Sequence, residues 1–510
     1  MKIIIIIILL LFLNEFVSNA QNKYDYTWDT GYSYNKPWGF QLNFNNGKVK
    51  IDTFRRTYEF LETVASISDS TGKFQFSTNG CKVFNKNYMT MENGDSLNLT
   101  IPPFNSCSYT NRGEVIQQGS LILPVPNSKD SLFALFRSEL DEVIVPQQNL
   151  LPKNLYYSLI NMKANSELGK VVVKNRIIVN DTLDGGNISA VKHSNGRDWW
   201  VMTRKFISNR FFTFKFSASQ IDSSFIQSIG EPTLNLTQGG GRAIFSPNGL
   251  LYAYFTGKNH LMLYDFNRET GKLNNFRRII VPTELIDSNL ILSSISISPN
   301  SQFLYIFAIK EVIQIDLQAT DIQSGIIQVA KHDPIVAPFA FPTNSQLGPD
   351  CKIYFTSTNG LQILGYIRYP DRKGIACQVV QAGIKLPYNV AIVGGLPNNP
   401  NYRLGVTPTH PCDSTIDFRV PTKETYSKID VNVFPNPSTG NVTLDWDDGI
   451  NTEGGIVRVF NMLGQMVFQQ KIPAIDTRAQ LELNVPSGVY QIRINFKEHK
   501  VFQGKVLIVK

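Results

Sequence analysis

A turn signature that returns about every fifty residues constrains this chain more than any other feature. Ser246-Pro247-Asn248-Gly249 precedes an apolar run from Leu250 to Phe255 and a second at Leu261–Phe266, closed by Thr270-Gly271. Ser298-Pro299-Asn300-Ser301 and Gly348-Pro349-Asp350-Cys351 open the next two units, 52 and 50 residues further on. Weaker copies stand at Ser68–Gly72, Pro126–Asp130 and His193–Asp198, which makes six. The chemistry of the signature is that of a tight turn: Pro fixes φ, Asn or Asp bonds its own backbone, and Gly accepts positive φ before the next strand. Residues 60–405 show short runs of Phe, Tyr, Ile, Val and Leu broken by Asn, Gly, Pro, Asp and Ser, with no sustained helical periodicity. Those are strands and turns. A period near fifty with about four strands per unit predicts a β-propeller, because one such unit can bury its faces only against its neighbours. Two stacked β-sandwiches are the competing architecture.

Closure of the ring predicts a seventh blade. An isolated strand at Trp38–Phe44 and late strands from Tyr388 to Pro400 have no full unit of their own. Pairing them removes the open sheet edges.

The ends of the chain carry a different message. Lys2 precedes an unbroken apolar run from Ile3 to Leu13, and Val17-Ser18-Asn19-Ala20 offers small residues for cleavage. That is the pattern of a secretory signal peptide over 1–20, with a mature chain from Gln21. The run is too short for a spanning helix, which needs about 20 residues, and no other stretch qualifies. The mature chain is therefore expected to have no transmembrane segment. With 42% hydrophobic and 18% charged residues the chain is globular, and its net charge of +8 is modest for 510 residues. Lys and Arg are scattered and no nucleic-acid motif accompanies them, so nucleic acid is not an expected partner.

Five cysteines in an exported chain imply disulfides with one thiol left over. Cys81 with Cys107, and Cys377 with Cys412, are the preferred pairs, other pairings staying open. There is no C-x-x-C and no Cys/His cluster, so neither a metal nor a cofactor is expected.

After Cys412 a polar stretch, 413–430, reads as a linker that ends the propeller domain of 21–412. Seven short strands then follow in 431–510, an immunoglobulin-like sandwich. Its motifs are Val433 through Pro435-Asn436-Pro437 to Gly440, Val457–Asn461 with Gly464, Pro486-Ser487-Gly488-Val489-Tyr490, and a basic final strand at Lys505–Lys510. This ordered set resembles the C-terminal (type A) sorting domain of the bacterial type IX secretion system. The resemblance implies passage through the periplasm and outer membrane, recognition by the translocon, and partnership with surface-attachment machinery. The large domain is similar to propeller proteins, with WD-like or YVTN-like blades, that accompany this tail in gliding and related bacteria. The matching stretches include Ile67–Gly72, Met91–Asp95, His193–Trp200, Leu347–Asp350 and Gly395–Asn398 with Asn401–Gly405. Cys351 stands where such proteins carry Gly. This second resemblance implies architecture and location, not chemistry.

No specific catalytic arrangement is found. His193 beside Arg197 and Asp198 has the chemistry of a general acid/base group, but it sits in a repeated turn, and turn architecture is the favoured reading. Glu139 with Asp141 and Glu142, and Asp447 with Asp448, are carboxylate pairs that read as solvated loop charge. Gly239-Gly240-Gly241 before Arg242 is followed by no helix, so it makes no phosphate cradle of the usual kind. Trp199 and Trp200 are adjacent on a strand and point to opposite faces, so one is expected in the core and one exposed for a sugar or peptide. The expected function is a non-enzymatic surface or secreted propeller binding an unidentified protein or glycan, with an adhesion role among the possibilities. The alternative is a glycoside hydrolase or lyase acting on extracellular polysaccharide.

Overall fold

The computed structural model describes residues 22–33, 37–45, 49–98, 107, 112–144, 148–185, 187–232, 242–256, 259–282, 293–337, 342–357, 359–408, 411–412, 427–447, 454–462, 465–474, 476–496 and 500–510. The expected signal peptide, Gly239–Gly241, Asp448 and Gly464 lie outside them. Among the described residues no helix is long and apolar enough to cross a membrane. The chain divides into two compact units, Met1–Phe418 and Arg419–Lys510.

Among its described residues the first unit is built of seven antiparallel sheets in chain order. Sheet 1 holds β1 (Thr27–Thr30), β2 (Gly39–Asn43) and β3 (Lys50–Phe54), and sheet 2 holds β4 (Ala65–Ser68), β5 (Phe74–Thr78) and β6 (Val83–Asn85). Sheets 3 to 7 have four strands each: β7 (Ser120–Pro124) to β10 (Lys170–Thr182), β11 (Ser189–Lys192) to β14 (Gln220–Ser228), β15 (Arg242–Phe245) to β18 (Lys272–Ile280), β19 (Ser294–Ile297) to β22 (Ile326–Lys331), and β23 (Asn344–Leu347) to β26 (Val379–Lys385). First strands of successive sheets lie beside one another, as β1 by β4, β4 by β7, β11 by β15, β15 by β19 and β19 by β23. This is a seven-bladed β-propeller with the first strand of each sheet innermost.

All six turn signatures fall at one place, between the first and second strands of sheets 2 to 7. Ser246 Oγ donates to Asn248 Oδ1 (2.6 Å), and the backbone N–H groups of Leu250 and Leu251 return to those two side chains. Ser298 and Asn300 repeat the arrangement. The last turn residue has positive φ in each: Gly249 (74°), Ser301 (62°) and Cys351 (63°). Cys351 therefore adopts the conformation that glycine would.

Closure differs from the expected shared blade. The strand at Gly39–Asn43 is the middle of a sheet of its own, and Tyr388–Pro400 adds isolated bridges, Tyr32 to Ala391 and Leu361 to Ile392. The count of seven is reached because sheet 1, with three strands, forms without the turn signature.

The second unit packs a five-stranded sheet against a three-stranded one. The first contains β27 (Ser427–Lys428), β34 (Lys500–Ile508), β33 (Gly488–Phe496), β30 (Gly455–Phe460) and β31 (Met466–Ile472); the second contains β28 (Asn432–Phe434), β29 (Asn441–Asp445) and β32 (Arg478–Glu482). Val442, Leu444, Val457, Val459, Ile492, Ile494, Val506 and Ile508 alternate inward along their strands to make its core. The stretch read as a linker to residue 430 ends earlier, since Ser427–Lys428 pairs in parallel with Lys500 and Val501.

Candidate functional site

Polar groups of the propeller gather along its innermost strands, where the segment after sheet 7 runs past them. Asn344 Nδ2 donates to Gly394 O (2.5 Å). Asn398 Nδ2 donates to Ser120 O (3.1 Å) and Ile188 O (2.8 Å), and its backbone N–H to Val64 O (3.2 Å). Asn401 Nδ2 reaches Pro247 O (2.8 Å), and the Tyr402 hydroxyl reaches Ile122 O (2.8 Å). Arg403 holds Asp25 with both terminal nitrogens, at 2.5 and 2.8 Å. One short segment thus ties sheets 2, 3, 4, 5 and 7 to the start of the chain. Its residues are those of the Gly395–Gly405 motif.

Beside this segment lies a cavity of about 90 Å³, lined among others by Gln118, Ser189, Arg242, Ser296, Gln346 and Asn399. Gln118 spans from before β7 to β15, giving Nε2–H to Ala243 O (2.8 Å) and accepting from Ala243 N (3.0 Å). Arg242, the first residue of β15, reaches to sheets 6 and 7. It donates to Ser294 Oγ (3.0 Å), Asn344 Oδ1 and Gln346 Oε1 (3.2 Å). It is 3% exposed, and burial brings its guanidinium down to about 9. The carboxylate lining this cavity, Asp25, belongs to Arg403.

The residues singled out in the sequence lie elsewhere. Trp199 and Trp200 do point to opposite faces, but both are buried, at 0% and 4% exposure. Trp199 meets Tyr402 edge-on at 5.8 Å, while Trp200 donates Nε1–H to Arg268 O (2.8 Å) and stacks on His193. The expectation of an exposed ligand-facing indole fails because each blade packs a neighbour on both faces, so strand alternation does not separate core from solvent here. His193 accepts from Asn195 N at Nδ1 (3.0 Å), and burial and Lys215 hold its ring below the usual value. The Asp198 carboxylate takes Asn195 Nδ2 (2.7 Å) and Arg197 Nε (2.9 Å), so it orients the turn and not the imidazole. Glu139 is no solvated loop charge: it lies on β8 (Leu132–Ile144), buried, 3.3 Å from Arg137 and accepting from the Tyr156 hydroxyl (2.6 Å). Asp141 pairs with Lys153 at 2.9 Å, and Asp447 is exposed.

Cys81 and Cys107 are joined, with Cα atoms 5.5 Å apart. The second bond is Cys351–Cys412, not Cys377–Cys412, and Cys377 is a buried thiol near Tyr305. The left-handed turn at Cys351 brings its Cα to 5.3 Å from that of Cys412, a separation a disulfide spans. Cys81, Cys107 and Glu114 have ligand atoms within 4.8 Å of one another, but the two sulfurs are spent on their own bond.

In the small domain Asn436 accepts from Leu507 N (2.9 Å) and donates to Lys505 O (3.0 Å), so the side chain between Pro435 and Pro437 pairs with the last strand as a backbone would. Gly440 has φ of 128°, and a Cβ there would stand 2.8 Å from Leu483 O. Gly488 opens β33, and Tyr490, buried, donates to Pro486 O (2.9 Å).

Comparison with known proteins bears on the two units unequally. Residues 432–510 match the secretion system C-terminal sorting domain. Ulvan lyase NLR42 of Nonlabens ulvanivorans is 32% identical over 78 residues, 15% of this chain and 14% of that protein, so the chain spans about a seventh of that relative. Among solved structures, a provisionally assigned 6-phosphogluconolactonase from Bacteroides uniformis is 11% identical, covering 72% of this chain and 97% of its own, with a TM-score of 0.37. AztD from Citrobacter koseri is 12% identical over 73% and 88%, with a TM-score of 0.32. The propeller assignment stands on sheet order and register and takes nothing from these two. Residues 432–510 are a secretion system C-terminal sorting domain, and this chain is a β-propeller carried by type IX secretion to the cell surface or extracellular space.

Proposed function

We propose that the propeller is a binding module that takes an extracellular glycan or protein on the face where the Gly395–Gly405 segment crosses, the tail providing delivery and surface attachment. The observation that carries this reading is the cavity of fixed amide, hydroxyl and guanidinium groups beside that segment. Gln118 and Arg242, each held by hydrogen bonds to neighbouring sheets, lose little freedom when a ligand docks. The test is retention of the secreted protein on immobilised extracellular polysaccharides and cell-surface protein fractions, with a Gln118→Ala variant alongside. Specific retention that the variant weakens supports the reading; retention on nothing, or equal retention of the variant on everything, removes it. The rival reading, a polysaccharide hydrolase or lyase, is checked in the same samples by assaying for reducing ends and unsaturated products.

A further inference from the structure

Most buried guanidinium groups in this propeller have an acid for company. Arg56 has Asp29 at 2.7 Å, Arg137 has Glu139 at 3.3 Å, Arg403 has Asp25 at 2.5 Å, and Arg204 has Asp184 at 4.0 Å. Arg268 has none, and it spends its donors on the carbonyls of Lys192, His193, Gly405 and Val406. Arg242 fits neither pattern. Its three partners are neutral side-chain oxygens, its Nε–H has no acceptor, and no carboxylate among the described residues faces it. A buried cation without a counter-charge or a full set of acceptors is costly, and a ligand that supplied both would relieve that cost. A second unpartnered donor, Asn399 Nδ2, belongs to the same cavity lining. About 90 Å³ is room for a carboxylate or sulfate group with part of the ring that bears it. The neutral groups around it, Gln118, Ser296 and Gln346, suit hydroxyls, and the other cation of the lining, Arg403, is already paired with Asp25.

We infer that this cavity is a subsite for one acidic sugar residue of a glycan, its carboxylate or sulfate oxygens taking the Arg242 guanidinium and the Asn399 amide. The inference rests on the binding reading above and names the ligand class for it. Planar, forked donors favour such oxyanions, and a neutral sugar would leave the cation unpaired.

The test is titration of the purified secreted chain with glucuronic acid, a sulfated monosaccharide, glucose and inorganic sulfate, read by calorimetry and thermal shift at matched ionic strength. Saturable binding of an acidic sugar, absent for glucose, is expected. Arg242→Gln is expected to weaken it about tenfold or more, the worth of one charge-assisted hydrogen bond. Should that variant not fold, Asn399→Ala removes a donor that has no partner in the protein and is expected to weaken binding about fivefold while leaving thermal stability unchanged. Binding of inorganic sulfate without any acidic sugar, equal binding of glucose, or unchanged affinity in both variants overturns the inference. If polymers are retained on the propeller while no acidic monosaccharide binds, the subsite falls and the binding reading stands; if nothing is retained, both fall.

Discussion

Sheets 1 and 2 and sheets 5 and 6 are held by different means. Sheets 5 and 6 share a cluster of Phe255, Leu263, Ile295, Leu304, Ile306 and Ile313, all fully buried. Sheets 1 and 2 have three strands each and between them bury Asp29, on which Arg56 (2.7 Å), Tyr58 (3.0 Å) and Ser77 (2.7 Å) converge. Burial lifts the Asp29 carboxyl above its usual range while Arg56 opposes it. A sheet with fewer strands has less apolar face to offer a neighbour, and here a satisfied polar network fills the place. Apolar packing degrades gradually when a methyl is lost, whereas a buried network fails when one member goes.

That contrast is easiest to break at Arg56. Arg56→Met leaves the Asp29 charge buried and unpaired, and a loss of about 3–5 kcal/mol is expected in chemical denaturation of the secreted chain. Ile306→Val in the apolar half is expected to cost about 1 kcal/mol. Equal losses would show that the two regions are held alike.

The crossing segment joins these regions, and its far end is pinned to sheet 7 by Cys351–Cys412, which closes a 61-residue separation. Cys412→Ser is expected to lower stability by about 2–4 kcal/mol through the freedom returned to the unfolded chain. A reducing agent should reproduce most of that loss in the parent and little in the variant, after correction for Cys81–Cys107. No loss in Cys412→Ser would mean that the segment's hydrogen bonds suffice by themselves.

How far the molecule could be read from its sequence follows the same division. The turns of sheets 2 to 7 are local, three or four residues making their own hydrogen bonds, and all six were visible at Ser68, Pro126, His193, Ser246, Ser298 and Gly348. Sheet 1 lacks the turn, so only its middle strand stood out. The tail was legible because Pro435-Asn436-Pro437 and Gly440 do backbone work that few other residues can. What stayed hidden depends on contacts between distant residues. Glu139 looked like loop charge because Tyr156 and the fold that buries Arg137 cannot be seen from residues 139–142. Asn398 was read within late strands and Asn401 only as part of a shared motif, because their acceptors, Ser120, Ile188 and Pro247, lie far away in sequence. Arg242 was noticed only for the glycines before it; its want of an acid is a fact about sheets 6 and 7.

The finest test of the contrast is a buried cation in sheet 4, between the two regions. Lys192, 8% exposed, lies with Nζ 3.9 Å from the centre of the Trp199 ring and donates to Arg197 O (3.0 Å). Burial pulls its amine from 10.5 down to about 7, Asp198 resisting. Where sheets 1 and 2 pair a buried charge, this sheet sheds it. Between about pH 7 and 10.5 the unfolded chain holds a proton that the folded chain lacks, so stability rises with pH across that window. Below it both states are protonated and the cost of burying the charge is present in full. Relative to Lys192→Met, the parent is therefore expected to gain about 1–2 kcal/mol in denaturant stability between pH 7.5 and 9. Parallel pH profiles for the two proteins would mean that Lys192 keeps its charge, and that sheet 4, like sheets 1 and 2, stabilises a buried ion by pairing.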